Sequence, residues 1–218
     1  MLIDDDVTHY WRFFVSGTLT TLWISWLALM LGGAIGTVIA HFRLSRIGWL
    51  RVIAVIYTEF FRSIPPIMLF FFCYYGISFA LGLNLNPFTS ATLALTLTAS
   101  SLMAEVVRSG IESVGFGQWL AAISSGMTKL QVFRYVVWPQ ALRVCLPPAT
   151  GVYISTLKDS SVASVIGYIE LTRSGLLIRE TTGSSFDVFL IIATIYFVIN
   201  YGLSLCGGAL ERRFRIVH

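Results

Sequence analysis

The stretch Gly117 to Pro139, GQWLAAISSGMTKLQVFRYVVWP, decides how this chain is read. It is long enough for two short helices, it lies between hydrophobic spans, and its charges, Lys129 and Arg134, are both basic. Such a segment belongs at a membrane face. Gln118 to Ser125 contains good helix formers, Gly126 can take the left-handed conformation that ends a helix, and Thr128 can cap a second helix running through Phe133 to Val137. Pro139 is expected to close the unit. A two-helix hairpin whose first helix is apolar and uncharged acquires a meaning only from what surrounds it.

What surrounds it is lipid. The chain has 218 residues, of which 56% are hydrophobic and 12% charged, where soluble domains carry roughly a quarter charged residues. With a mean hydropathy of +0.78 it reads as an integral membrane protein. The net charge of +4 does not argue for a nucleic-acid partner, because the basic residues fall in short loops between apolar runs, where membrane orientation accounts for them. Cys73, Cys145 and Cys206 all lie in apolar stretches and are read as packing residues, without a disulfide or metal role. His9 and His218 are terminal and His41 sits at a helix end, so no metal site is expected. The start, MLIDDDVTHY, is acidic where a secretory signal needs positive charge, and the first apolar run is therefore expected to stay as a span.

A membrane helix needs roughly 20 mostly apolar residues, and five runs are expected to supply spans. The first, Gly17 to Ala40, contains Gly32-x-x-x-Gly36, which lets another backbone approach closely. Between Trp49 and Leu83 the pattern is too long for one span, and Pro65-Pro66 should kink or restart the helix. The second span is placed at about Ile64 to Leu83, preceded by a helix that is interfacial or projects into the cytoplasm. The third, Thr89 to Val107, ends in Glu105 and Arg108 on one helical face, read as a local ion pair near the interface in preference to a pathway role. The fourth, Val144 to Ile166, is irregular: Pro147-Pro148 and Gly151 are expected to break its start, and Lys158-Asp159-Ser160-Ser161 lie well inside it. The fifth, Phe186 to Leu205, is a clean apolar helix ending at Gly207-Gly208. No repeat, linker or low-complexity segment appears, so residues 1–218 read as a single transmembrane domain. With the N-terminus outside, Arg43, Arg46, Arg51, Arg108, Lys129, Arg134, Arg143, Arg212, Arg213 and Arg215 all fall on the cytoplasmic side, and the hairpin with them.

At this point several separated motifs resemble one family. Ala121-Ala122, Gly126 and Val137-Trp138-Pro139 are similar to the cytoplasmic loop signature of the permeases of binding-protein-dependent ABC importers. The resemblance extends through Gln140-Ala141-Leu142-Arg143, Leu157-Lys158-Asp159-Ser160-Ser161-Val162-Ala163, and Glu170-Leu171-Thr172. Upstream, Glu59-Phe60-Phe61-Arg62-Ser63-Ile64-Pro65 and Ala104-Glu105-Val106-Val107-Arg108-Ser109-Gly110 fit too, and together they point to the polar amino acid subfamily. Leu120 departs from the signature, which has Glu there. The resemblance implies an all-α type I permease fold with five spans and a cytoplasmic coupling-helix hairpin. It also implies a dimer with an identical or homologous permease, two ATPase subunits holding ATP and Mg, and an extracytoplasmic solute-binding protein. This chain has no Gly-x-x-x-x-Gly-Lys loop, so no nucleotide cofactor is assigned to it.

On that resemblance Gln118, Leu120, Ala121, Ala122, Gly126, Met127 and Pro139 form the ATPase-coupling surface, a short helix docked in a partner's groove. The competing reading is an interfacial helix lying on lipid with Trp119 as its anchor. Lys158 and Asp159 are costly in hydrocarbon. They either pair structurally, with each other or with Glu105 and Arg62, or line a path for a zwitterionic solute. In the second case Asp159 meets the ammonium, and Ser160, Ser161 and the free amides of a broken helix meet the carboxylate. Gly167, Glu170, Arg173 and Gly175 face either the binding protein and outer gate or plain solvent. The expected function is the permease of an ATP-driven amino acid importer. Its rival is an ion-coupled secondary transporter or channel, and an intramembrane enzyme ranks far below, since no nucleophile with a His partner appears.

Overall fold

The computed structural model describes residues 10–214, and its regular structure in that range is helical. The expectations placed on the acidic residues 1–9, His9 among them, and on Arg215 and His218 concern residues outside it. Helix α1 is Trp11–Arg43, α2 is Gly48–Ser63, α3 is Pro66–Phe71 and α4 is Ile77–Leu81, the last two joined by a π turn at Phe72–Gly76. Then come α5, Pro87–Glu112, and α6, Phe116–Ser124. The next helical run contains α7, Lys129–Val132, a π turn at Phe133–Val137, α8, Trp138–Asp159, and a 3₁₀ segment at Ser160–Ile166. Finally α9 is Leu171–Thr182 and α10 is Ser185–Phe214.

Three helices, α1, α5 and α10, are long and apolar enough to cross a membrane. The number reaches five if α2 with α3 and α4, bent by 106°, and the run Lys129–Ile166 with α9, bent by 46°, each count as one span. The first bend lies where the paired prolines predict it: Ile64 is extended, at φ −82° and ψ 131°, and Pro66 opens the next helix, where its missing N–H costs nothing. The helix before the bend does not project away. Ala54 and Thr58 are buried, and the Tyr57 hydroxyl lies 2.6 Å from Ser100 Oγ of α5.

The centre of the molecule is α5, with α1 against it. The buried face of α1 is a stripe of small residues, Gly17, Thr21, Ser25, Ala28, Gly32, Gly36 and Ala40, spaced three or four apart so that they line one side. A Cβ on Gly32 would come within 2.7 Å of Ala99 Cβ, and one on Gly36 within 2.7 Å of the Ser100 carbonyl oxygen. The Gly32-x-x-x-Gly36 face therefore has its partner in α5, where the absence of side chains lets the backbones touch. Asn86 starts α5 by accepting from the Thr89 amide at 2.8 Å.

Three expectations at prolines and glycines are corrected. Pro139 does not close the hairpin; the helix continues through it. Pro139 has no N–H to return to Tyr135, and the turn before it widens so that the Trp138 amide bonds to the Phe133 carbonyl, five residues back. Pro147 and Pro148 do not break α8 either. The residues whose carbonyls lose a helical donor, Arg143 and Val144, line an open cavity, the kind of setting in which a freed backbone carbonyl is tolerated. Gly207 and Gly208 do not end the last helix. Gly207 instead seats α10 on Thr150 of α8, whose Cγ2 would lie 3.1 Å from an added Cβ. Of the cysteines, Cys73 and Cys145 are buried as expected of packing residues, whereas Cys206 is exposed.

Candidate functional site

The hairpin is held by local chemistry at its turn and by packing at its base. After α6, Gly126 has φ +84° and donates to the Ile123 carbonyl at 2.9 Å, while Met127 donates to Ala122 at 3.2 Å, the pair of bonds of a Schellman stop. Thr128 then caps α7 reciprocally: its amide donates to Gln131 Oε1 at 2.8 Å, and the Gln131 amide donates to Thr128 Oγ1 at 3.4 Å. Ala122, Val132 and Val137 face inward, in one apolar cluster with Ala40 of α1, Val107 and Ile111 of α5, and Ala141 and Cys145 of α8. His41 closes the join from α1, its ring edge-on to Phe133 at 5.2 Å between centroids.

The outward side of the same unit is apolar and uncovered. Leu120 is 51% exposed and Leu130 75%, with Phe116, Ile123 and Met127 also exposed. Gln118, Ala121, Gly126 and Pro139 lie on the exposed surface, whereas Ala122 packs into the cluster. Trp119 packs against that cluster too, so the residue expected to anchor a helix lying on lipid is turned toward protein. Leu120, standing where the resemblance expects a carboxylate, is the middle of an apolar patch.

The candidate pathway residues are divided between the two ends of the molecule. Glu105 lies at the hairpin end, bridged to Arg43 of α1 at 2.5 Å and to Arg108 at 2.7 Å, and Arg108 in turn holds Glu112. The local ion pair is present, with Arg43 as a further, interhelical partner. Asp159 lies at the far end of α8, half-buried, next to the 3₁₀ segment whose Ala163 and Ile166 pack on Ile24, Phe70, Ala91 and Leu95. Among the described residues neither Lys158 nor Asp159 closes an ion pair with Glu105, Arg62 or each other. Ser160 is buried and donates to the Leu157 carbonyl at 2.8 Å, and Ser161 donates to Lys158 at 2.7 Å. The Ser160 amide is also bonded within the helix, so the expected break with free amides does not occur at these serines. The chain turns later, at Gly167, with φ +83°. Lys158 is exposed and shares a cavity wall with Asn200 and Tyr201 of α10.

One joint was not legible as such. Glu170, given above as either outward-facing or solvated, is fully buried. Its carboxylate caps α9, accepting from the Thr172 and Arg173 amides at 2.8 Å each, and it also accepts from the Tyr196 hydroxyl of α10 at 3.0 Å. The next amide, Leu171, donates to Thr21 Oγ1 of α1 at 3.1 Å. Gly175 packs directly on Ile192. The only sequence signal for this knot is an acidic residue three positions before Arg173 at a helix start.

These features define a polytopic helical membrane protein in which a capped, outward-apolar hairpin is rooted on the ends of three long helices. The family described as the inner membrane component of binding-protein-dependent transport systems matches residues 28–216, and the chain belongs to it. It is similar to the probable glutamine ABC transporter permease protein GlnP of Bacillus subtilis (strain 168), 33% identical over 92% of this chain and 93% of that one. The glutamine transport system permease protein GlnP of Escherichia coli (strain K12) is 33% identical over 93% of each chain. Among solved structures, the crystal structure of an amino acid ABC transporter with histidines matches with a TM-score of 0.90 and 36% identity, over 98% of this chain and 100% of that one. The chain is thus an ABC importer permease of the bacterial inner membrane, a transport subunit working with ATPase, solute-binding and permease partners.

Proposed function

We propose that this chain, as one transmembrane domain over residues 1–218, forms half of the translocation pathway of an importer for polar amino acids. Five spans would run from an outside N-terminus to a cytoplasmic C-terminus, two permeases, identical or homologous, would pair, and two ATPases would bind ATP and Mg on the cytoplasmic side. The substrate class rests on the relatives named for glutamine and on the solved transporter with histidines. The observation that carries the reading is the hairpin: an apolar outer face around Leu120, Ile123 and Leu130 on a frame locked by Gly126, Thr128 and Gln131. A rigid knob of this kind suits docking into a groove of a separate motor. Closure of the ATPase pair on ATP would draw the two hairpins together, and α8, continuous from the hairpin to Asp159, would carry that displacement to the far end of the membrane.

Asp159 is the proposed partner of the solute ammonium, and Lys158, on the adjoining cavity wall, takes the carboxylate role first expected of Ser160 and Ser161. Glu105 is left as part of the Arg43–Glu105–Arg108 tie. The test is ATPase activity of the complex reconstituted with its binding protein, measured against a panel of amino acids. Stimulation by glutamine or histidine is expected, and so is its loss when residues 118–127 are deleted. Normal transport after that deletion, or uptake that follows a proton or sodium gradient and ignores ATP, would refute the reading. Asp159→Asn should lower the stimulated rate or alter selectivity.

A further inference from the structure

At the hairpin end, α6, α8 and α10 enclose an open cavity of about 920 Å³. Gln118 of the hairpin, Arg143 and Gly151 of α8, and Ser204, Gly207 and Glu211 of α10 are among its walls. Gly151 leaves its part of the space unfilled, since a Cβ there would meet nothing within 4 Å. Arg143 and Glu211 bring opposite charges to this one cavity, yet among the described residues neither closes an ion pair, although Arg43, Arg108, Glu105 and Glu112 all do so nearby. A second cavity, of about 460 Å³, adjoins the first, with Ile154 and Ser204 in both walls. It contains Lys158 and Asn200, whose Oδ1 is buried without a hydrogen-bond partner. A mainly apolar groove with a few polar side chains along it therefore runs beside α8 and α10 from Lys158 to Arg143 and Glu211.

We propose that Arg143 and Glu211 form a second station for the solute, a site for a free zwitterionic amino acid where it leaves the groove at the hairpin end. The inference rests on the amino acid importer reading and adds a site to it. A free amino acid carries a carboxylate and an ammonium a few ångströms apart. An arginine fork takes the first bidentately and a carboxylate takes the second, and two opposite charges that line one cavity without pairing leave both available.

The experiment is equilibrium binding of radiolabelled L-glutamine, with L-histidine in parallel, to the purified permease–ATPase complex without binding protein. L-glutaminamide, which lacks the carboxylate, and glutaramate, which lacks the ammonium, serve as competitors. In an Asp159→Asn complex one bound glutamine or histidine per permease chain should remain. Arg143→Gln or Glu211→Gln should weaken it by about tenfold, the scale of a lost charged hydrogen bond. Arg143→Gln should also abolish the preference over glutaminamide, and Glu211→Gln the preference over glutaramate. The exchange Arg143→Glu with Glu211→Arg should restore binding, since a zwitterion can enter reversed. If the complex transports amino acids but neither stoichiometry nor analogue preference changes in these variants, the second station is wrong and the importer reading stands. If neither amino acid binds or stimulates the ATPase, both fail.

Discussion

At the two ends of the helical run from Lys129 to Ile166 the side chains are disposed in opposite ways. At the hairpin end the polar groups look after the backbone locally, through Gly126, Thr128 and Gln131, and large apolar side chains are left facing out. At the far end Glu170 is fully buried and ties α9 to α10, while the neighbouring Leu171 amide ties α9 to α1, so the polar groups there join helices to one another. A surface that is locally rigid yet energetically incomplete is suited to binding something else. A knot that is complete within the chain is suited to staying fixed while the rest moves.

That contrast can be broken most forcefully at the buried knot. Glu170→Leu removes the acceptor of the Thr172 and Arg173 amides and of the Tyr196 hydroxyl, and should cost about 3 kcal/mol by leaving buried donors unpaired, read as a lower thermal midpoint of the purified protein. Full stability in this variant would mean that the far end is not a fixed joint. Gly36→Val forces a side chain into the Ser100 carbonyl and Met103, and should cost about 2 kcal/mol through overpacking of α1 on α5, by the same measurement. Gly126→Val meets no neighbour but sits at φ +84°, so the cost of about 1–2 kcal/mol falls on the hairpin turn alone. Faster proteolysis at residues 124–128, with an unchanged global midpoint, is expected. Leu120→Ser should shift stability by less than about 0.5 kcal/mol, because the side chain is half in the open, while weakening ATPase association by about tenfold, the burial energy of one leucine. Equal loss of stability and association would erase the distinction between the two ends.

What the sequence tells and withholds follows the range of the interactions. Gly126 and Thr128 act on residues within five positions, and both were readable in advance. Pro139 was misread because its tolerance depends on a π turn set up by the six residues before it, and a proline in an apolar run ordinarily means a stop. Pro147 and Pro148 were misread because the setting in which the freed carbonyls are tolerated is a cavity that exists only once α8, α10 and the hairpin meet. Glu170 lay beyond reach for the same reason: its burial depends on Tyr196, 26 positions away, and the adjoining tie on Thr21, 150 positions from Leu171. Of the two readings open for Lys158 and Asp159, pairing with Glu105 is not found, because α8 carries them to the opposite end and Glu105 instead finds Arg43.

The central claim is that the hairpin is a cytoplasmic knob gripped by the ATPase, and labelling of Leu120→Cys tests it most directly. On a background with the exposed Cys206 replaced by serine, a membrane-impermeant thiol reagent should label this cysteine in inside-out vesicles lacking the ATPase, leave it unlabelled in right-side-out vesicles, and lose access when the ATPase is bound. Labelling from the outside, or labelling unaffected by the bound ATPase, would contradict the account.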